Sequence, residues 1–268
     1  MAGSMDWVVQ LTVDRATARA VLSQDRVANV YALSDLEPPY DRYTTVAVAS
    51  RNGSAEAACL VVRHPAFTGI VTHGHVADLQ TVLATIRLPQ MTHLDIPIVH
   101  RALIDHHCSF TDAHERQLMA VTASTFRAVP QLPNIVRLGN ADLNDLVDLY
   151  AGYQASAFHP AQLEHGVFFG AREEGRLVAA AGTPGLALQA GIAIVTSVFT
   201  RLEARRHGFG AMVTSAVTRA LFALGCRDVC LDVEADNTVA QRLYERLGYQ
   251  LHSTRWQGEA VLHERPAR

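Results

Sequence analysis

The chain has 268 residues, 49% of them apolar, with 23 basic side chains, 26 acidic ones and a net charge of −3. That suffices for one large domain or two ordinary ones with ample core, and it excludes a general basic surface for nucleic acid. No apolar run reaches the roughly 18 residues of a membrane helix, and four cysteines in a chain this long make no disulfide framework, so buried free thiols and a reducing cytoplasm are expected.

Met1-Ala2-Gly3-Ser4 ahead of Met5 reads as an appended remnant, and no signal-peptide pattern follows it. Asp14 is placed to cap a first short helix whose face carries Ala18, Val21 and Leu22. Val27, Val30, Tyr31, Leu33 and Leu36 mark a second helix that ends at Pro38-Pro39. Strands are expected over 44–49 and 57–62, joined by a turn at Asn52-Gly53, with a third over 69–72. A helix over 77–86 presents Leu79, Val82, Leu83 and Ile86 on one side, and a strand follows over 94–99. Residues 101–123 are ambiguous, with 114–122 the best helical part. Every basic residue is arginine, and 13 histidines are scattered along the chain. His73-x-His75 and His106-His107 are the closest groupings, but neither joins a cysteine or carboxylate at a ligand spacing, so no metal is expected.

Pro130 to Pro133 marks a natural boundary. Beyond it, a strand over 135–138 leads to a helix capped by Asn140 or Asp142, with Leu143, Leu146, Val147 and Tyr150 as its stripe. Residues 158–165 read as a loop, then 167–171 and 177–181 as a hairpin around Glu174-Gly175. Ile192, Ile194 and Val198, with Val195 between, suit a buried strand running to Thr200. Arg205-Arg206-His207-Gly208-Phe209-Gly210 then opens a helix that Gly225 stops. Gly208 and Gly210 allow a sharp turn and close approach of a ligand, and the free N–H groups of a helix N-terminus favour an anion such as a pyrophosphate. A second strand over 229–233, a helix from Asn237, Gly248-Tyr249, and strands over 251–256 and 258–262 complete the chain. No third glycine at dinucleotide spacing and no Gly-Lys-Ser/Thr follows the loop, which argues against Rossmann and P-loop readings.

From about Ile135 to Leu262 this order resembles the GNAT superfamily of N-acetyltransferases. Arg205-x-x-Gly208-x-Gly210 matches that family's Gln/Arg-x-x-Gly-x-Gly/Ala motif, and Asn237-x-x-Ala240-x-x-Leu243-Tyr244-x-x-x-Gly248-Tyr249 matches its second. The resemblance implies an α/β fold, a mixed twisted sheet flanked by helices. It implies acetyl-CoA as cosubstrate without a metal, and as acceptor a small-molecule amine or a peptide. The cofactor would be held by Val198, Phe199, Thr200, Arg205, Arg206, His207, Gly208, Phe209, Gly210, Ala211, Asn237, Ala240 and Tyr244, with loop amides on the pyrophosphate and the strand along the pantetheine arm. The first half repeats the order of elements, but its strand leads to His73-Gly74-His75 and no Asn…Leu-Tyr motif follows. Two such domains in tandem are therefore expected, 1–130 a divergent copy without the CoA motif and 134–268 the catalytic one, in a monomer or homodimer. An unrelated α/β cap over 1–130 is the alternative.

Acetyl transfer to an amine requires a placed thioester, an acceptor that loses a proton and a leaving thiolate that gains one. Tyr244, seven residues or nearly two turns after Asn237, is the expected acid, since a phenol of pKa about 10 is protonated at neutral pH. Spacing alone also allows a packing aromatic beside Leu243 and Leu247. Asn237 suits an N-cap and a bond to the cofactor arm. Asp232 is the candidate base: alternation sets it with Glu234, opposite Leu231 and Val233, facing either cleft or solvent. Glu164 and His165 are further candidates. A non-catalytic acyl-CoA-binding regulatory module is the competing reading.

Overall fold

The computed structural model describes residues 7–11, 14–52, 54–65, 67–151 and 158–263. The Met1–Ser4 remnant and Gly53 of the expected Asn52-Gly53 turn lie outside them. The chain folds into two compact units, residues 1–117 with 253–268, and residues 118–252. The division thus falls after Gln117 and again after His252, not at Pro130–Pro133.

The first unit runs β1 (Trp7–Leu11), α1 (Arg15–Leu22), α2 (Val30–Asp35), β2 (Thr44–Arg51), β3 (Ser54–His64), β4 (Phe67–Gly74), α3 (Val76–Thr85), β5 (Met91–Pro97) and α4 (Arg101–Ile104). Asp14 caps α1 as expected, its Oδ1 accepting from the Ala16 and Thr17 amides at 2.9 Å. The strands β1 to β4 pair antiparallel in succession. The β4–α3–β5 crossover then pairs β4 and β5 in parallel over Gly69–Val71 and His93–Asp95. Leu79, Val82 and Leu83 of α3 are fully buried against Cys59, Val61, Ile70 and Leu94, each contributing roughly 1.5–3 kcal/mol by burial.

Residues 114–122 are not helical. They end β6 (Cys108–Thr122), a 15-residue strand. Glu115 to Ala120 are good helix formers, but Met119 and Val121 sit two apart and both enter the core of the second unit with Val229 and Leu231; tertiary burial overrides the weak local preference. The expected strands over 251–256 and 258–262 are one, β13 (Gln250–Leu262). Its part beyond Ser253 belongs to the first unit, pairing antiparallel with β5 from Arg255↔Pro97 to Val261↔Met91. On its other side β13 comes close to β6 at Gly258, where a Cβ would lie 1.9 Å from the Asp112 carbonyl oxygen. Arg255 is 2% exposed. Its Nε donates to Asp95 Oδ1 at 2.5 Å and its Nη1 to the Ala28 carbonyl at 2.9 Å.

The second unit runs β7 (Ile135–Leu138), α5 (Leu143–Tyr150), α6 (Gln162–His165), β8 (Phe168–Glu173), β9 (Arg176–Gly182), β10 (Leu186–Ala187), β11 (Ile192–Thr200), α7 (Phe209–Ala223), β12 (Asp228–Glu234) and α8 (Thr238–Arg246). The strands β7, β8, β9 and β11 pair antiparallel in that order, and β11 pairs with β12 in parallel. The two units therefore share one local plan, antiparallel strands followed by a parallel strand–helix–strand crossover. Neither Asn140 nor Asp142 caps α5 through its side chain; Asp142 Oδ2 instead accepts from the Gly139 amide at 2.9 Å, and Oδ1 takes Arg172 at 2.7 Å. The expected loop over 158–165 closes with the short α6. Ala179 and Ala181 join the α7 cluster of Val213, Val217 and Leu221, while Ala180 between them joins the α5 cluster of Leu146, Leu149 and Phe168, so β9 is covered on both faces. All four cysteines are buried, and none is in a disulfide. No helix among the described residues is long and apolar enough to cross a membrane.

Candidate functional site

The site is a fork in the sheet of the second unit. Parallel pairing of β11 with β12 runs from Ile192↔Asp228 only as far as Val195↔Leu231. Beyond it β11 stays paired with β9, but with a register shift between Thr196 and Phe199. Ser197 sits in this bulge at φ 52°, unusual for a residue with a side chain. Val198, Phe199 and Thr200 are half-buried along the stretch beyond the pairing with β12. Val198 packs on the α7 cluster and Phe199 on the α5 cluster, as alternation requires.

At the end of β11 the chain passes Arg205 and Arg206 into Gly208, which has φ 84° and serves as N-cap of α7 with no side-chain cap. The first amides of α7, those of Phe209, Gly210 and Ala211, carry the positive end of a 15-residue helix. A Cβ at Gly210 would have Thr200 Oγ1 and Leu243 Cδ1 as its nearest neighbours, both at 3.5 Å. The position thus marks where β11, α7 and α8 converge, and its smallness is not demanded by protein packing. Arg205 is drawn back, its Nε donating to the Thr200 carbonyl at 3.3 Å. Arg206, at φ 71°, and His207, edge-on to Phe209 at 6.1 Å, are exposed. An uncapped helix start with two glycines that packing does not demand, beside a strand released from its partner, fits an extended ligand ending in a pyrophosphate.

Across the fork, Asn237 caps α8, its Oδ1 accepting from the Ala240 amide at 3.1 Å. That commits the oxygen and leaves Nδ2 as the atom able to donate to a ligand. Gln241 locks the preceding turn by donating to the Glu234 and Ala235 carbonyls at 3.1 and 2.9 Å. Tyr244 is 6% exposed and packs in the core, its ring edge-on to Tyr249 at 6.1 Å. Asp232 is the first β12 residue past the paired segment; it and Glu234 are half-buried while Leu231 and Val233 are buried, the alternation expected from the sequence. Glu164 and His165 lie exposed on α6, 3.8 Å from each other.

Sequence reasoning missed three contributors. Tyr249 is fully shielded, its hydroxyl bonded to Thr218 Oγ1 at 2.7 Å, and burial pushes its phenol well above the ordinary range. Gly248, at φ 93°, would place a Cβ 2.0 Å from the Thr125 carbonyl oxygen. Tyr150 donates to the Ser197 carbonyl at 2.5 Å. Only Gly248-Tyr249 had a signal, as part of a motif; no pattern announces a strained serine. Among the described residues no group of three His, Cys, Asp or Glu side chains is arranged to hold a metal.

Residues 140–249 match the family model described as acetyltransferase (GNAT) family. A mycothiol acetyltransferase of Streptomyces avermitilis is 32% identical over 157 residues, which cover 52% of this chain and 51% of that protein. The chain thus spans about half the length of the curated relative it matches. Among solved structures, a Drosophila protein superposes with a TM-score of 0.72 at 15% identity, covering 96% of this chain and 99% of its own. A GCN5-related N-acetyltransferase from Kribbella flavida gives 0.61 at 21% identity, covering 90% and 95%. These two likenesses concern the fold. Residues 140–249 therefore carry the sequence pattern of the acetyltransferase (GNAT) family, within a chain that has the GNAT-like α/β fold of a mixed sheet flanked by helices.

Proposed function

We propose that the protein is an acetyl-CoA-dependent N-acetyltransferase acting on the amine of a small molecule or peptide. The observation that carries this reading is the fork itself: β11 loses β12 after Val195 and ends at the uncapped N-terminus of α7. Bound there, acetyl-CoA supplies an activated acyl group as a thioester. The amides of Phe209, Gly210 and Ala211 bind its pyrophosphate, the backbone of Val198 to Thr200 aligns its arm, and Asn237 Nδ2 donates to it from α8. Asp232, directly or through one water, takes a proton from the amine as its nitrogen bonds the acetyl carbon. Tyr244 gives a proton to the sulfur as the carbon–sulfur bond breaks. Supporting these roles, Asp232 stands where β12 leaves the pairing and Tyr244 lies on the helix that Asn237 starts. The first unit is a divergent copy of the same fold without this site. In support, α3 starts after His73-Gly74-His75, and the Arg-x-x-Gly-x-Gly sequence is absent there.

The test is thiol release from acetyl-CoA across a panel of amines headed, on the strength of the relative's name, by mycothiol-type amines. Amine-dependent release with an acetylated product is expected. Tight acyl-CoA binding without transfer to any amine would favour a regulatory acyl-CoA-binding module instead.

A further inference from the structure

We propose that Tyr150 is a positioning residue for this site, setting the one peptide of β11 that the transferred group must meet; the inference rests on the acetyltransferase reading above. Tyr150 ends α5 and is 6% exposed. Its ring is stacked on Phe158 at 5.1 Å and tilted against Phe199 at 6.3 Å, which leaves it little freedom. Its hydroxyl donates to the Ser197 carbonyl at 2.5 Å, at the residue held at φ 52° where the β11–β9 register shifts. A non-glycine residue in this region costs on the order of 1–3 kcal/mol and persists only where surroundings hold it. The Tyr150 bond and the adjoining ladder supply that hold.

The consequence reaches the opposite side of the peptide. The Ser197–Val198 bond is trans, since the only cis bond among the described residues is Pro38–Pro39. In a planar trans peptide the N–H points opposite to the C=O. Pinning the Ser197 carbonyl toward Tyr150 therefore aims the Val198 N–H away from it, at a fixed angle, just beyond the last β12-paired residue, Val195. A preorganised donor costs nothing to orient when charge develops on a nearby oxygen. Tyr150 acts through that amide and needs no contact with substrate.

The experiment is Tyr150→Phe, which removes one oxygen and keeps the ring stack. Turnover should fall roughly tenfold, the effect of losing about one hydrogen bond's hold on the peptide, with KM for acetyl-CoA changed less than threefold. The Val198 amide resonance in a ¹⁵N-labelled protein should move between wild type and variant. A folded variant with wild-type turnover and an unmoved Val198 resonance would overturn the proposal, and so would a lowered thermal midpoint with turnover per folded molecule unchanged. Failure of the wild type to bind CoA would instead overturn the parent reading. The Val198 resonance, read without ligand, would still decide whether Tyr150 sets the peptide.

Discussion

Gly208→Glu separates the two reasons a glycine can stand at the start of α7. A Cβ at Gly208 meets only Met212 Cε, at 3.5 Å, so the added side chain collides with no backbone. The folded state pays for φ 84° instead, roughly 1–2 kcal/mol for an L residue in the left-handed region. That lowers the unfolding midpoint by several degrees in a domain of this size without preventing folding. The new carboxylate would stand beside amides proposed to bind pyrophosphate. Like charges about 5 Å apart at an effective dielectric constant of about 20 repel by roughly 3 kcal/mol, more than a hundredfold in affinity for each such pair. Calorimetric titration with CoA should therefore show no measurable binding to Gly208→Glu. Gly208→Ala carries the same backbone cost without the charge and should retain weaker binding. A folded Gly208→Glu protein that binds CoA as wild type does would remove the cofactor from this loop.

Tyr244→Phe keeps the ring against Tyr249 and should lower turnover by ~10²–10⁴-fold with near-normal CoA affinity; full turnover in a folded variant would return Tyr244 to packing alone. Asp232→Asn should slow transfer most at pH values where the amine is protonated, and an unchanged pH profile would refute its role as base. One CoA per chain is expected from titration, and two would make the first unit a working copy. In that unit, burial and the neighbouring Asp95 push the Asp35 carboxyl up to about 8. A carboxyl raised on folding favours the folded state below its unfolded pKa of about 4. That contribution is lost as pH climbs toward 8. Thermal midpoints measured from pH 5 to 9 should thus fall more steeply for wild type than for Asp35→Asn, and parallel curves would refute the shift.

Local chemistry was enough to read most elements. Asp14, Asn237 and Gly225 mark helix ends through side-chain acceptors and a left-handed glycine, interactions complete within a few residues of chain. The stripe on α3 and the alternation Leu231, Asp232, Val233, Glu234 report the burial they meet, because periodicity records which face is dry. The residues expected to hold the cofactor all belong to the second unit, since loop, helix and fork follow one another along the chain. Long-range partnership was decided only by the tertiary structure. The segment 114–122 is locally a fair helix, and pairing and burial make it a strand. The exchange of chain ends between units, with 118–122 in the second and 253–262 in the first, depends on contacts such as Arg255 with Asp95, 160 residues apart. Tyr150 and Ser197 meet across 47 residues. No local rule selects a left-handed serine, because its cost is local while the hydrogen bond and ladder that offset it come from the far side of the fold.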